Sequence, residues 1–127
     1  MDMKLNHEVV RNVLLTVEEH IGDRQKVDVN DLAKFPSLEK YEIQDIKYTV
    51  RKLKEARFLN VHITGTKDME WIEIESLSYQ GHEFLDNIRE SGIWSETKSL
   101  ASKVGSASLT ILSEVAAGVI KAKLGLS

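Results

Sequence analysis

The sequence predicts an α+β fold, mainly helical, and two observations carry that expectation. Apolar residues recur at three- and four-residue steps in the segments before residue 57, and the period then drops to two before helical spacing returns near residue 79. A chain of 127 residues has room for one modest core and an appended helical element, not for two independent cores.

The first helix is expected over residues 7–21. Val10, Val13, Leu14, Val17 and Ile21 share one face there, Asn6 stands at the cap and Gly22 lies just past the end. Val27 and Val29 alternate as in a short strand, Asn30 is placed to cap a second helix, and Pro36 stops that helix early. A third helix is expected over 42–56, with Ile43, Ile46, Val50 and Leu53 facing inward. In "FLNVHIT" and "EWIEIE" the pattern becomes that of strands: Leu59, Val61, Ile63, Ile72 and Ile74 point to the core and Glu73 and Glu75 away from it, with Gly65 and Asp68 supplying the hairpin loop.

A fourth helix follows over 79–89, burying Phe84, Leu85 and Ile88, and "SGI" is expected to interrupt it at Gly92. The tail, 94–126, reads as two helices meeting near Gly105. Three helices, a hairpin and a closing helix in this order are most economically a winged helix-turn-helix over residues 1–91, with a C-terminal helical extension over 92–127.

Composition narrows the function classes. There are no cysteines, so disulfides and thiolate metal sites are excluded. The N-terminal segment places Glu8, Arg11, Glu18 and Glu19 among its apolar residues, unlike a signal peptide, and a cytoplasmic location is expected. The net charge is −3. By segment, residues 1–57 carry 11 basic and 11 acidic side chains, 58–90 carry 2 and 7, and 91–127 carry 4 and 2. No segment is strongly basic, so nucleic-acid binding driven by bulk charge is not expected.

The most distinctive stretch is "SLSYQGHEFLDNIRE", residues 76–90. His82 and Asp86 stand four apart, a spacing that puts two ligands on one helix face. A zinc-protease helix would have histidine at position 86, and His7, His20 and His62 have no spacing that supplies a third ligand. No metal, cofactor or catalytic constellation is expected. The structural reading is stronger: Ser78 stands at a cap position, and Gly81 in the first turn lets another backbone, that of the hairpin, come close.

"LSYQGHEFL" resembles the segment that closes many bacterial winged-helix regulators, where the helix after the wing begins with leucine, a small hydroxyl residue and an early glycine. Together with "MKLNHEVVRNVLL", "YTVRKLKEARFLN", "GHEFLDNIR" followed by Trp94, and "KVGSASLTILSEVA", nearly the whole chain resembles an uncharacterised family of phages and prophages of Gram-positive bacteria, known only as a domain of unknown function. The resemblance implies a phage-related setting and transfers no site residues.

Two binding readings follow. In a helix-turn-helix the helix after the turn enters the major groove. On the third helix Gln44, Tyr48, Arg51 and Lys52 are suited to read bases of double-stranded DNA, with Lys40, Lys47 and Lys54 near phosphates, although Glu42, Asp45 and Glu55 share that helix. The wing offers only Lys67, beside Asp68, and is not expected to bind DNA. The alternative is a module that binds a host protein through an acidic hairpin bearing Trp71, Glu73 and Glu75. Trp71 itself is expected to pack under the tail rather than stand as an anchor.

In the tail, Leu109, Leu112, Val115, Ala116, Val119 and Ile120 lie at helical spacing, while Glu114, Lys121 and Lys123 make it too short and too polar for a membrane span. A homodimer through residues 94–126 is expected, the alternative being that the tail folds back on its own domain.

Overall fold

The computed structural model describes residues 5–22, 25–66, 68–103 and 108–125. Along them run α1 (His7–His20), β1 (Val27–Asp28), α2 (Val29–Leu32), α3 (Ile43–Glu55), β2 (Leu59–Gly65), β3 (Glu70–Leu77), α4 (Tyr79–Ile88), α5 (Ser91–Ser102) and α6 (Leu109–Lys123). The strands form one antiparallel sheet in the order β1-β3-β2. The fold is therefore α+β and mainly helical, as the change of period predicts. Among the described residues no helix is long and apolar enough to cross a membrane.

Helix α1 starts where its cap allows. The Asn6 side chain accepts from the backbone N–H groups of Glu8 and Val9 at 3.0 and 3.4 Å, and the predicted face of Val10, Val13, Leu14 and Val17 is buried. The cap of α2 differs from expectation. Asp28 caps it, accepting from the N–H of Asn30 at 2.8 Å, so Val29 opens the helix and is buried there instead of extending the strand. On α3, Ile46, Val50 and Leu53 are buried with Thr49, whereas Ile43, in the open first turn, is only half-buried.

Helix α3 ends in a left-handed turn. Arg57 has φ 67°, the N–H of Phe58 donates to the Leu53 carbonyl at 2.8 Å, and that of Arg57 to Lys54 at 3.0 Å. This pair of bonds is the Schellman arrangement, and buried Phe58 and Leu53 supply its usual apolar contact. The chain then turns straight into β2. Val61 pairs with Ile74 and Ile63 with Ile72 on the inner face, while His62 meets Glu73 and Thr64 meets Trp71 on the outer one. Gly65, at φ 107°, closes the hairpin, and Lys67 lies outside the described residues.

The joint after the hairpin matches its expected role. Ser78 Oγ accepts from the N–H of Gly81 at 3.0 Å and donates to the Arg57 carbonyl at 2.6 Å, and the Ser78 N–H donates to the Phe58 carbonyl at 3.1 Å. A Cβ on Gly81 would lie 2.0 Å from that Phe58 oxygen. Glycine is required here because a backbone carbonyl occupies the space of its side chain.

The break between α4 and α5 falls at residues 89–90, not at Gly92, because the Glu90 carboxylate caps α5. It accepts from the N–H groups of Gly92 and Ile93, both at 2.9 Å, which hold its carboxyl below the usual range. Gly105 lies outside the described residues. The tail folds back on its own chain: α5 packs against α6, and both pack against α4. Trp94, Ala101, Leu109, Leu112 and Ala116 join the core that also holds α1, α3 and the hairpin.

Helices α1 and α4 are tied by charge. Arg89 Nη1 and Nη2 donate to the two Glu18 oxygens at 2.6 and 2.7 Å, and Nη2 also to Asp86 at 2.8 Å. Hydrogen bonding from Arg89 holds the Glu18 carboxyl below its ordinary value of 4.5. A depressed folded-state value contributes stability above the unfolded value, and that contribution is lost as pH falls through the folded one. The urea midpoint is therefore expected to drop between about pH 5 and 3 more steeply in the parent chain than in Glu18→Gln, measured side by side. Equal slopes would show that the pair adds nothing to stability.

Candidate nucleic-acid interface

On the outer side of α3, residues 44, 48 and 51 are spaced to share one stripe and residues 47, 51 and 54 an adjacent one. Gln44 and Lys54 are exposed, and Lys47, Tyr48, Arg51 and Lys52 are half-buried. The helix thus brings the sequence-predicted readers together on one face. Lys40 sits apart, in the turn before α3, with its ammonium 5.3 Å from the centre of the Tyr41 ring.

Most of these cations already have partners. Arg51 makes a bidentate pair with Glu70 at the start of β3, at 2.5 and 3.1 Å. The hydrogen bonds raise the Arg51 pKa and hold the Glu70 carboxyl below the usual range, an effect to which Lys47 adds. Lys52 pairs with Glu55 at 3.2 Å and lies 5.4 Å from the Tyr48 ring centre. The side chain of Lys54 makes no ion pair among the described residues. Glu70, 19 residues from Arg51, is the part of this surface that spacing did not reveal, because a pair between elements leaves no periodic trace.

On the outer face of the hairpin, Trp71 is 58% exposed, which overturns the expectation that it packs under the tail. The tryptophan in the core is Trp94, 3% exposed, with its indole N–H 3.3 Å from Glu8. Glu73 and Glu75 are half-buried rather than fully outward, and Glu75 is shared by Lys26 at 3.6 Å and His62 at 2.8 Å. This neutralises part of the acidic hairpin.

The distinctive stretch uses its ionisable groups to join helices. His82 Nδ1 lies 3.9 Å from Glu18, and Asp86 is held by Arg89. Among the described residues no three His, Asp or Glu side chains gather where a metal ion could be held.

The chain is 27% identical over 124 residues to a Haemophilus influenzae protein described as "Uncharacterized protein", an alignment spanning 96% of this chain and 99% of that one. No solved structure matches. The profile of one family, described as "Hypothetical protein (DUF2513)", matches residues 4–108, which hold every element from α1 to α5 and stop just before α6. The chain belongs to this DUF2513 family.

Proposed function

We propose that this protein is a non-enzymatic winged-helix DNA-binding regulator of phage or prophage origin, working in the cytoplasm of a bacterial host. The observation that carries the reading is the position of α3. It is followed at once by the β2–β3 hairpin, and its outer face presents Gln44, Lys47, Tyr48, Arg51 and Lys54 together. Gln44 and Arg51 have the donor geometry to read adenine and guanine edges, Tyr48 and Lys52 flank them, and Lys40, Lys47 and Lys54 approach phosphates. Two copies paired through residues 94–126, using exposed Leu100 and Ile111, would present two such helices to a symmetric site.

In this reading Glu70 competes with DNA for Arg51. Binding of the purified protein to its own upstream duplex and to random duplex, across a salt series, tests it. Affinity is expected to fall steeply with salt, Arg51→Ala to cost about 1–3 kcal/mol of binding, and Lys52→Ala to weaken it further. Glu70→Gln is expected to tighten binding, since it releases the guanidinium. An absence of binding at low salt to either duplex would sink the reading.

A second reading rests on the exposure of Trp71 beside Glu73 and Glu75: an adaptor or inhibitor that holds a host protein through the hairpin. It predicts a salt-insensitive complex that Trp71→Ala abolishes and Arg51→Ala leaves intact.

A further inference from the structure

Beside β2 lies a groove of about 670 Å³, lined among others by Lys54, Arg57, His62, Glu75, Tyr79 and Gln80. We propose that this groove binds a nucleotide unit of a single-stranded nucleic acid, with its phosphate on Arg57 and Lys54 and its base on the ring of Tyr79.

Charge is the first argument. Arg11, Arg51 and Arg89 all spend their guanidinium groups on carbonyl or carboxylate oxygens, whereas the Arg57 side chain has no such partner among the described residues. The carboxylate in the groove, Glu75, is already engaged by Lys26 and His62. Arg57 and Lys54 therefore face the groove as uncompensated cations, and an arginine fork is suited to phosphate oxygens.

The backbone supplies the second argument. Arg57 holds a left-handed conformation that glycine adopts freely and other residues adopt at a cost. A helix end needs only glycine there. Guarding the free edge of β2 with charge does not require arginine either, since Lys54 is next to it. An arginine in that unfavourable conformation, unpaired among the described residues and lining a groove, is an arrangement that a ligand contact would use.

Preorganisation is the third. Tyr79 is 79% exposed, the most exposed large apolar or aromatic side chain described, and a free ring face is a stacking platform for any base. Ser78 ties the backbone that carries Tyr79 to that of Arg57, through its hydroxyl bond to the Arg57 carbonyl and its N–H bond to the Phe58 carbonyl. The close seat of Gly81 under Phe58 locks the same joint. The motif at residues 76–90 thus fixes the backbone positions from which the Arg57 and Tyr79 side chains reach the groove.

This inference does not rest on duplex recognition by α3, with which it shares Lys54 alone, and its variants lie outside that helix. The test measures binding of a labelled 12-nucleotide oligothymidylate at low salt, with thymidine monophosphate and inorganic phosphate as competitors. Arg57→Gly removes the cation and also the backbone cost, so its thermal midpoint is expected to rise by about 3–5 °C while its affinity falls about tenfold. Tyr79→Ala is expected to lose a similar factor for the oligonucleotide and nothing for inorganic phosphate. Thymidine monophosphate competing as well as the oligonucleotide would assign the same site to a free nucleotide. A more stable Arg57→Gly with parental affinity, an unaffected Tyr79→Ala, or no binding of the oligonucleotide would overturn the proposal.

Discussion

Replacing Trp94 by alanine is expected to destabilise the entire chain by about 3–5 kcal/mol, the range for a buried tryptophan left as a cavity. The ring is almost wholly buried, its N–H meets Glu8 of α1, and the Lys98 ammonium lies 5.4 Å from the ring centre. Lys98 also pairs with Glu8. Against a typical net stability of about 5–15 kcal/mol, that loss moves a large fraction of the balance. Because Trp94 belongs to one core with α1, α3 and the hairpin, urea is expected to melt the helices and the β2–β3 hydrogen bonds together. Circular dichroism and hydrogen exchange on the hairpin amides measure this. A variant that loses only the protection of α5 and α6, with the hairpin unchanged, would show that the tail is energetically separate.

Gly81→Ala is expected to cost about 3 kcal/mol or more, at the upper end for overpacking, because the added methyl meets a backbone oxygen and not a yielding side chain. That carbonyl cannot simply swing away, since it also accepts from Ser78 and follows the left-handed residue Arg57. Gly118→Ala is the internal control. A Cβ there meets nothing within 4 Å, and the position is inside α6, so stability should rise by about 0.5–1 kcal/mol. Chemical denaturation of both variants decides the matter: a neutral Gly81→Ala would mean that the joint between α3, β2 and α4 is looser than its geometry implies.

Periodicity revealed the helices of the chain, the hairpin and most of the core, because burial of one face leaves a repeat of 3.6 or 2 in the sequence. The capping role of Ser78 and the close seat of Gly81 were legible for the same local reason. What was not legible involves partners distant in sequence. Arg51 reads as a free cation until β3 brings Glu70 to it, and Glu75 reads as an outward charge until Lys26 and His62 close on it. Trp71, expected under the tail, alternates with inward Ile72 and Ile74 and so faces out, whereas Trp94, to which spacing gives no role, forms a buried helical stripe with Thr97 and Ala101. Arg57 gave no signal, since a left-handed arginine is identified by its backbone and not by its neighbours in sequence.

The contacts of α1 have a consequence for the order in which the protein folds. Arg11 donates to the carbonyls of Ile88 and Arg89 at 3.0 and 2.7 Å, and Glu8 is met by Trp94 and Lys98. Helix α1 thus finds polar partners in a segment some 77 to 90 residues further along the chain. Its apolar face meets α3 and β3, which are nearer in sequence, so these long-range polar bonds are expected to close last in folding. A chain truncated before α5 is expected to keep the packing of α1 on α3 and to lose the contacts of Glu8 with Trp94 and Lys98.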